Sequence, residues 1–249
     1  MTAAVAVPDG AVSLAEVSEL EVSRPPGLMG GTRLWLVDLD GHLGEGAEPW
    51  LCHSERDRAA RFVYARDARR YRAAHFALRQ LLLQHCSVRP GIGFEVGVHG
   101  KPQVGLSPTF EFNLSHSGER ALIGIDRGQG GGLGVDIEML RHVEDVWPLA
   151  QQHFTPRENA QLRALPRADV ARAFLIVWTR KEACLKALGC GLSLAPASFD
   201  VGLEPHARMV LLDTATGPAQ VCVTSVAAGA DMLVAVAKVF PMPPASSST

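Results

Sequence analysis

Apolar and polar residues alternate most sharply at Leu133-Gly134-Val135-Asp136-Ile137-Glu138. On a strand, alternate side chains share a face, so Val135 and Ile137 turn to a core while Asp136 and Glu138 project together on the other side. The same period predicts strands at Arg33 to Leu39, Phe94 to Val98, Phe110 to Leu114 and Arg120 to Asp126. It recurs late in the chain at Phe199 to Leu203, Met209 to Leu212, Gln220 to Val226 and Met232 to Val239. Helical spacing predicts helices over Cys52 to Tyr64 and Asp67 to Cys86, the second with a stripe of Tyr71, Ala74, Leu78, Leu81, Leu82 and His85. A further helix is expected around Glu144 to Gln151. Thr155-Pro156-Arg157-Glu158 reads as a helix start, with Thr as N-cap, Pro at the first position and Glu at the third. A long helix over Asp169 to Leu188 is closed by Gly189 and Gly191.

Turn residues punctuate these elements. Gly41 to Pro49 is turn-rich, Gly100-Lys101-Pro102 reads as a turn, and Ser115-His116-Ser117-Gly118 is expected to join an antiparallel pair. Such a turn offers N–H and side-chain donors to an anion. The glycines from Gly128 to Gly134 form a flexible joint, and their spacing before a strand is not a dinucleotide fingerprint. The expected organisation is an α+β fold with lobes at 31–128 and 133–240, each combining antiparallel strands with a long helix. A flexible N-terminal extension (1–30) and a disordered tail (241–249) flank them.

Composition narrows the classes. The 249 residues are 47% apolar, enough for a sizeable core. A formal charge of −2 and a pI near 6.5 argue against a nucleic-acid or membrane-surface binder. Five cysteines lie scattered with no C-x-x-C pair, which suits reduced thiols. No apolar run reaches membrane-spanning length, and Met1 to Gly27 lacks the pattern of a signal peptide. A cytoplasmic protein is expected.

The chemistry centres on carboxylates. Adjacent anions such as Asp136 and Glu138 repel unless a cation, proton or donor sits between them. Glu182 falls on the apolar stripe of Phe174, Trp178, Leu185 and Leu188, and Lys186 follows it by one turn. A Glu–Lys pair at that spacing also serves as ordinary helix-surface support. If the helix faces the 136–138 strand, three carboxylates and one lysine converge, a set suited to Mg²⁺ with phosphate and water ligands. Arg56, Arg58, Arg61, Arg66, Arg69, Arg70, Arg72 and Arg79 crowd the first helices. Most suit a solvated face, and one or two suit a phosphate.

The segments Gly100-Lys101-Pro102, Phe112-Asn113-Leu114-Ser115-His116-Ser117, Gly134-Val135-Asp136-Ile137-Glu138 and Trp178-Thr179-Arg180-Lys181-Glu182-Ala183-Cys184-Leu185-Lys186 stand in a telling order. Together they resemble the 4′-phosphopantetheinyl transferases, in particular the monomeric, two-lobed Sfp-type branch. The resemblance runs from Arg33 to Val239. It implies two similar lobes about a pseudo-twofold axis with coenzyme A between them. It also implies Mg-dependent transfer of phosphopantetheine to a carrier-protein serine, with release of adenosine 3′,5′-bisphosphate. Asp136, Glu138 and Glu182 match the family's magnesium ligands, and Glu182 also matches the proposed base. Lys186 matches the lysine near the pyrophosphate. Ser115 and His116 match coenzyme A phosphate contacts, and Lys101 with Pro102 matches the wall of the nucleotide pocket. Arg58 matches a basic residue for the 3′-phosphate; a second basic position of some relatives falls on Glu55, with Arg61, Arg69 or Arg70 as substitutes. The partner implied is an acyl or peptidyl carrier domain with an acidic helix. Arg157, Arg163, Arg167, Arg172 and Arg180, with Phe154 and Leu162, suit its docking. A non-catalytic carrier or coenzyme A scaffold, and a metal-dependent nucleotide hydrolase, are the competing readings.

Overall fold

A computed structural model describes residues 17–20, 30–41, 47–96, 101–105, 109–128, 131–140, 143 and 146–240. The expected 241–249 tail, Gly100 and most of the 1–30 extension lie outside the described residues. Within that extension Val17–Leu20 is a strand, β1, paired antiparallel with β2 (Thr32–Asp38).

The first half continues with α1 (His53–Ala60), α2 (Ala65–Cys86), the short strands β3 (Glu95–Val96) and β4 (Pro102–Gln103), and the hairpin β5 (Glu111–Ser117) and β6 (Arg120–Asp126). The second half holds β7 (Leu133–Met139), α3 (Val146–His153), α4 (Pro156–Arg163), α5 (Arg167–Leu188), β8 (Arg208–Thr214), β9 (Gly217–Val226) and β10 (Met232–Phe240). One antiparallel sheet has the order β1-β2-β6-β5, the other β7-β10-β9-β8, and β3 pairs with β4. The architecture is α+β, as the alternating patterns imply.

Three departures from the sequence reading have local causes. The helix expected through Tyr64 stops at Ala60, and Tyr64 caps α2 in an extended conformation. The intervening Val63 and Tyr64 are weak helix formers left exposed. Ser115, His116 and Ser117 belong to β5 rather than to a turn: Ser117 pairs with Arg120, and Gly118 at φ 58° begins the two-residue reversal. Residues 199–203 form no strand. The Val201 N–H donates to Glu158 Oε1 and its carbonyl accepts from Arg180 Nε, so side chains satisfy the backbone that a neighbouring strand would otherwise pair.

Each sheet buries one face against a long helix. Val37, Phe112, Ile123 and Ile125 pack on Phe76, Leu78 and Leu81 of α2, while Val221, Val223, Leu233 and Ala235 pack on Phe174, Val177 and Leu185 of α5. A third cluster joins the sheets to each other: Leu34, Leu36 and Leu122 from the first meet Val135, Ile137, Val234 and Val236 from the second. Gly124 makes this approach possible, since a Cβ there would stand 2.7 Å from Val135 Cγ1. A buried ion pair crosses the same junction, Lys238 Nζ to Asp126 Oδ2 at 2.7 Å, with Thr32 Oγ1 donating to Asp126 Oδ1 at 2.9 Å.

Candidate active site

β5 and β7 lie side by side, and their polar residues meet in step. The Ser115 hydroxyl donates to Asp136 Oδ1 at 2.8 Å and the Ser117 hydroxyl to Glu138 Oε2 at 2.7 Å. The Val135 N–H donates to Asn113 Oδ1 at 2.9 Å and the Met139 N–H to Ser117 Oγ at 3.2 Å. Period-two alternation on both strands produces this ladder: Ser115 and Ser117 share one face of β5, Asp136 and Glu138 one face of β7.

The helix carrying Glu182 and Lys186 lies against β7 because Gly134 has no side chain. A Cβ there would stand 2.0 Å from the Ala183 carbonyl oxygen and 2.3 Å from the Ala187 nitrogen. With the backbones this close, Lys186 Nζ reaches Asp136 Oδ1 at 2.6 Å and Ser115 Oγ at 2.9 Å. The condition posed from the sequence, that α5 faces the Asp-x-Glu strand, is met.

Electrostatics follow from this crowding. Burial lifts the Asp136 carboxyl to about 6, and the Glu138 charge adds to the rise. Lys186 and the Ser115 hydroxyl oppose it. Glu182 is also raised, first by burial and then by Glu138, against the lowering charges of Lys186 and His153. Glu138 thus acts electrostatically on both other acids.

Asp136 Oδ2 is buried and has no hydrogen-bond partner. A buried anionic oxygen of this kind needs a cation or proton, and hard oxygen donors suit Mg²⁺. Among the described residues, no three histidine, cysteine, aspartate or glutamate side chains form a ready-made metal cluster. The orphaned oxygen and the donor chemistry therefore fit a magnesium ion through Asp136 first.

Beside the acids a cleft of about 290 Å³ is lined by Leu39, Phe62, Asp67, Arg70, Tyr71, His116 and Gly118. Its walls desolvate His116, and with the charges of Lys186 and His75 they hold the imidazole below its ordinary pKa. Arg69 and Arg70 both bind Asp40, at 3.0 and 2.6 Å, so one carboxylate faces two cations. Arg58 is exposed on α1 with its guanidinium over the Phe62 ring at 5.5 Å. Lys101 pairs with Glu111 at 3.0 Å. Its chain also passes Gly132 and Gly189, where added Cβ atoms would lie 3.1 Å from Nζ and 3.5 Å from Cδ, which sets Lys101 at the end of α5. Pro102 is in β4, paired with Val96.

Glu55 is no phosphate contact. It is buried at the N-terminus of α1, accepting from the Cys52 N–H at 2.8 Å and pairing with His75 and Arg79, each at 2.8 Å. Of the residues expected to dock a partner, Phe154, Leu162 and Arg180 are core. Trp147 is the exposed aromatic in that region, with the Arg163 guanidinium 5.2 Å from its ring centroid. Sequence reasoning took Ser117 for a turn hydroxyl facing an anion and missed its bond to Glu138, and it missed Asp40. The signal for Ser117 was its two-residue offset from Ser115, which mirrors Asp136 and Glu138.

The family model for the 4′-phosphopantetheinyl transferase superfamily matches residues 132–237. The 4′-phosphopantetheinyl transferase HetI of a Nostoc strain is 34% identical over 192 residues, covering 73% of this chain and 79% of that protein. A 4′-phosphopantetheinyl transferase of Bacillus subtilis is 29% identical over 177 residues, 69% of this chain and 77% of its own length. The transferase Sfp of the same species, strain 168, is 27% identical over 161 residues, 64% and 70%.

Proposed function

Because this chain belongs to the 4′-phosphopantetheinyl transferase family, we propose that it transfers phosphopantetheine from coenzyme A to a serine of an acyl or peptidyl carrier protein in a magnesium-dependent reaction. The observation that carries the reading is the meeting of Asp136, Ser115 and Lys186 within hydrogen-bond distance, with Asp136 Oδ2 left unsatisfied.

In this reading the carrier serine attacks the phosphorus that bears the pantetheine, and the bond to adenosine 3′,5′-bisphosphate breaks. Phosphoryl transfer of this kind needs positioning and charge neutralisation more than covalent catalysis. Lys186 gives its charge to a phosphate oxygen. Asp136 would hold the magnesium ion first, and Glu138 and Glu182, not preassembled with it into a cluster among the described residues, would complete the set, with Ser115 and Ser117 fixing the carboxylates of Asp136 and Glu138. When bound, the ion supplies neutralisation of the pyrophosphate charge. Glu182 takes the serine proton as general base. His116 and Arg70 face the cleft that would receive the nucleotide end, and Arg58 stands over Phe62 at its edge; Lys101 and Pro102, matched to the nucleotide pocket by resemblance, lie instead toward the other end of β5 and β7, by Glu111 and Gly132.

Two lobes at 31–128 and 133–240, related by a pseudo-twofold axis, also belong to this reading. Support comes from repeated hardware. Each half has an eight-residue helix with a capping-box glutamate, followed by a 22-residue helix ending at a left-handed residue, Ser87 or Gly189. Glu55 pairs with Arg79 and Glu158 with Lys181, and the two cations stand at the same position in their helices. A cytoplasmic monomer completes the proposal; no described helix is long and apolar enough to cross a membrane.

Incubation with coenzyme A, Mg²⁺ and an apo carrier tests it. Addition of phosphopantetheine to the carrier, read by mass, is expected. An unmodified carrier where a control transferase works, or coenzyme A cleavage without any carrier, would count against it.

A further inference from the structure

Four arginine or lysine side chains are buried among the described residues: Arg79, Arg180, Lys181 and Lys238. Three have a buried carboxylate partner, namely Glu55, Glu158 and Asp126, at 2.8, 2.9 and 2.7 Å. Arg180 is the exception. It is 1% exposed, and its bonds go to the Val201 carbonyl at 3.0 Å, the Pro205 carbonyl at 3.3 Å and the Ser225 hydroxyl at 3.4 Å, all neutral acceptors. Among the described residues no carboxylate forms an ion pair with it. Burial draws its pKa down to about 10, and Arg208 pushes the same way, so it stays cationic at neutral pH. A buried charge of this kind is costly unless an anion meets it.

Arg180 lines a cavity of about 260 Å³ between α4, α5 and residues 201–208. Arg157 and His206 stand on the same lining. Arg208, also there, is already paired with Asp200 at 3.0 Å. Glu204 is the one carboxylate of the lining, so cations outnumber it. Arg180 precedes Glu182 by two residues, about 200° around the helix, so this cavity opens on the side of α5 away from the acids of β7. We propose that it is a second ligand site, taking a small oxyanion of the phosphate class between the buried Arg180 and the exposed Arg157. The site stands independently of the transfer reaction. A guanidinium suits a tetrahedral oxyanion because its planar fork donates two parallel bonds. Glu158 acts on Arg180 only at a distance, through the Val201 peptide between them, and the ion would supply the direct charged partner that the other buried cations already have.

Calorimetric titration of the full chain and of its Lys186→Ala variant with inorganic phosphate, against chloride at equal ionic strength, tests this. One saturable phosphate site is expected. Arg157→Gln should weaken it about tenfold, the loss of one charge-assisted bond, and Lys186→Ala should leave it unchanged. Arg180→Met should abolish it where that variant folds; Arg157→Gln, at an exposed position, carries the test where it does not. The proposal is overturned by no saturable binding above chloride, by affinity unchanged in Arg157→Gln, or by a site that Lys186→Ala removes.

Discussion

Lys186 Nζ lies 2.6 Å from Asp136 Oδ1, a contact between a helix and a strand fifty residues apart in the chain. The lysine charge partly offsets the burial that raises Asp136 to about 6. Lys186→Ala should therefore move the Asp136 titration higher still and remove a phosphate-facing charge. The expected fall in kcat/KM for coenzyme A is about a hundredfold, the usual cost of one electrostatic stabiliser in a closed site. Steady-state kinetics check the fall, and carboxyl titration followed by NMR checks the shift.

Ser117 holds Glu138 by a 2.7 Å bond and also accepts the Met139 N–H. Ser117→Ala removes one hydrogen bond from each group, at about 1–2 kcal/mol. The half-saturating Mg²⁺ concentration should rise about tenfold while kcat at saturating Mg²⁺ changes little. Equal loss at all Mg²⁺ concentrations would argue that Ser117 acts elsewhere.

Gly134 governs how α5 seats on β7. In Gly134→Ala the new methyl meets the Ala183 carbonyl oxygen at 2.0 Å, so helix and strand must part. A stability loss of about 3 kcal/mol is expected from such overpacking. Activity should fall even where the variant remains folded, because Lys186 and Asp136 separate. Denaturant melts and kinetics on the same preparation read both effects.

Glu55 sets acid stability. Burial raises its carboxyl, but the hydrogen bond and charge of His75, the charge of Arg79 and the Cys52 N–H outweigh that and bring it to about 2 from an ordinary 4.5. A carboxyl lowered in the folded state contributes fully above the unfolded value, and the contribution is lost as pH falls from 4.5 toward 2. Glu55→Gln should be destabilised by about 3 kcal/mol at pH 7, since it strands Arg79 in the core. The gap between wild type and variant should narrow in urea melts below pH 4.5. A gap that is constant down to pH 2 would contradict the assignment.

The parts legible in the sequence were those with a strong period or a cap. Val135 and Ile137 alternating with Asp136 and Glu138 identified β7, and the Thr155–Glu158 capping box formed as read, with the Glu158 N–H donating to Thr155 Oγ1 at 3.1 Å. The apolar stripe around Glu182 marked a carboxylate on the packed face of a helix, and left open which element it packs on. What stayed hidden depended on contacts remote in sequence. Ser115-His116-Ser117-Gly118 has turn composition, yet pairing with β6 extends the strand to Ser117. Val201 has strand neighbours in composition, yet Glu158 and Arg180 take its backbone bonds. Arg180 looked like a surface residue because nothing local marks a charge that the tertiary fold encloses.

The most direct test of the account is carrier modification by Asp136→Asn, measured by mass with coenzyme A and Mg²⁺ beside a carrier-binding assay on the same protein. The account predicts that turnover is lost while the carrier is still bound. Turnover close to wild type would contradict it, because the carboxylate at the centre of the site would then be dispensable.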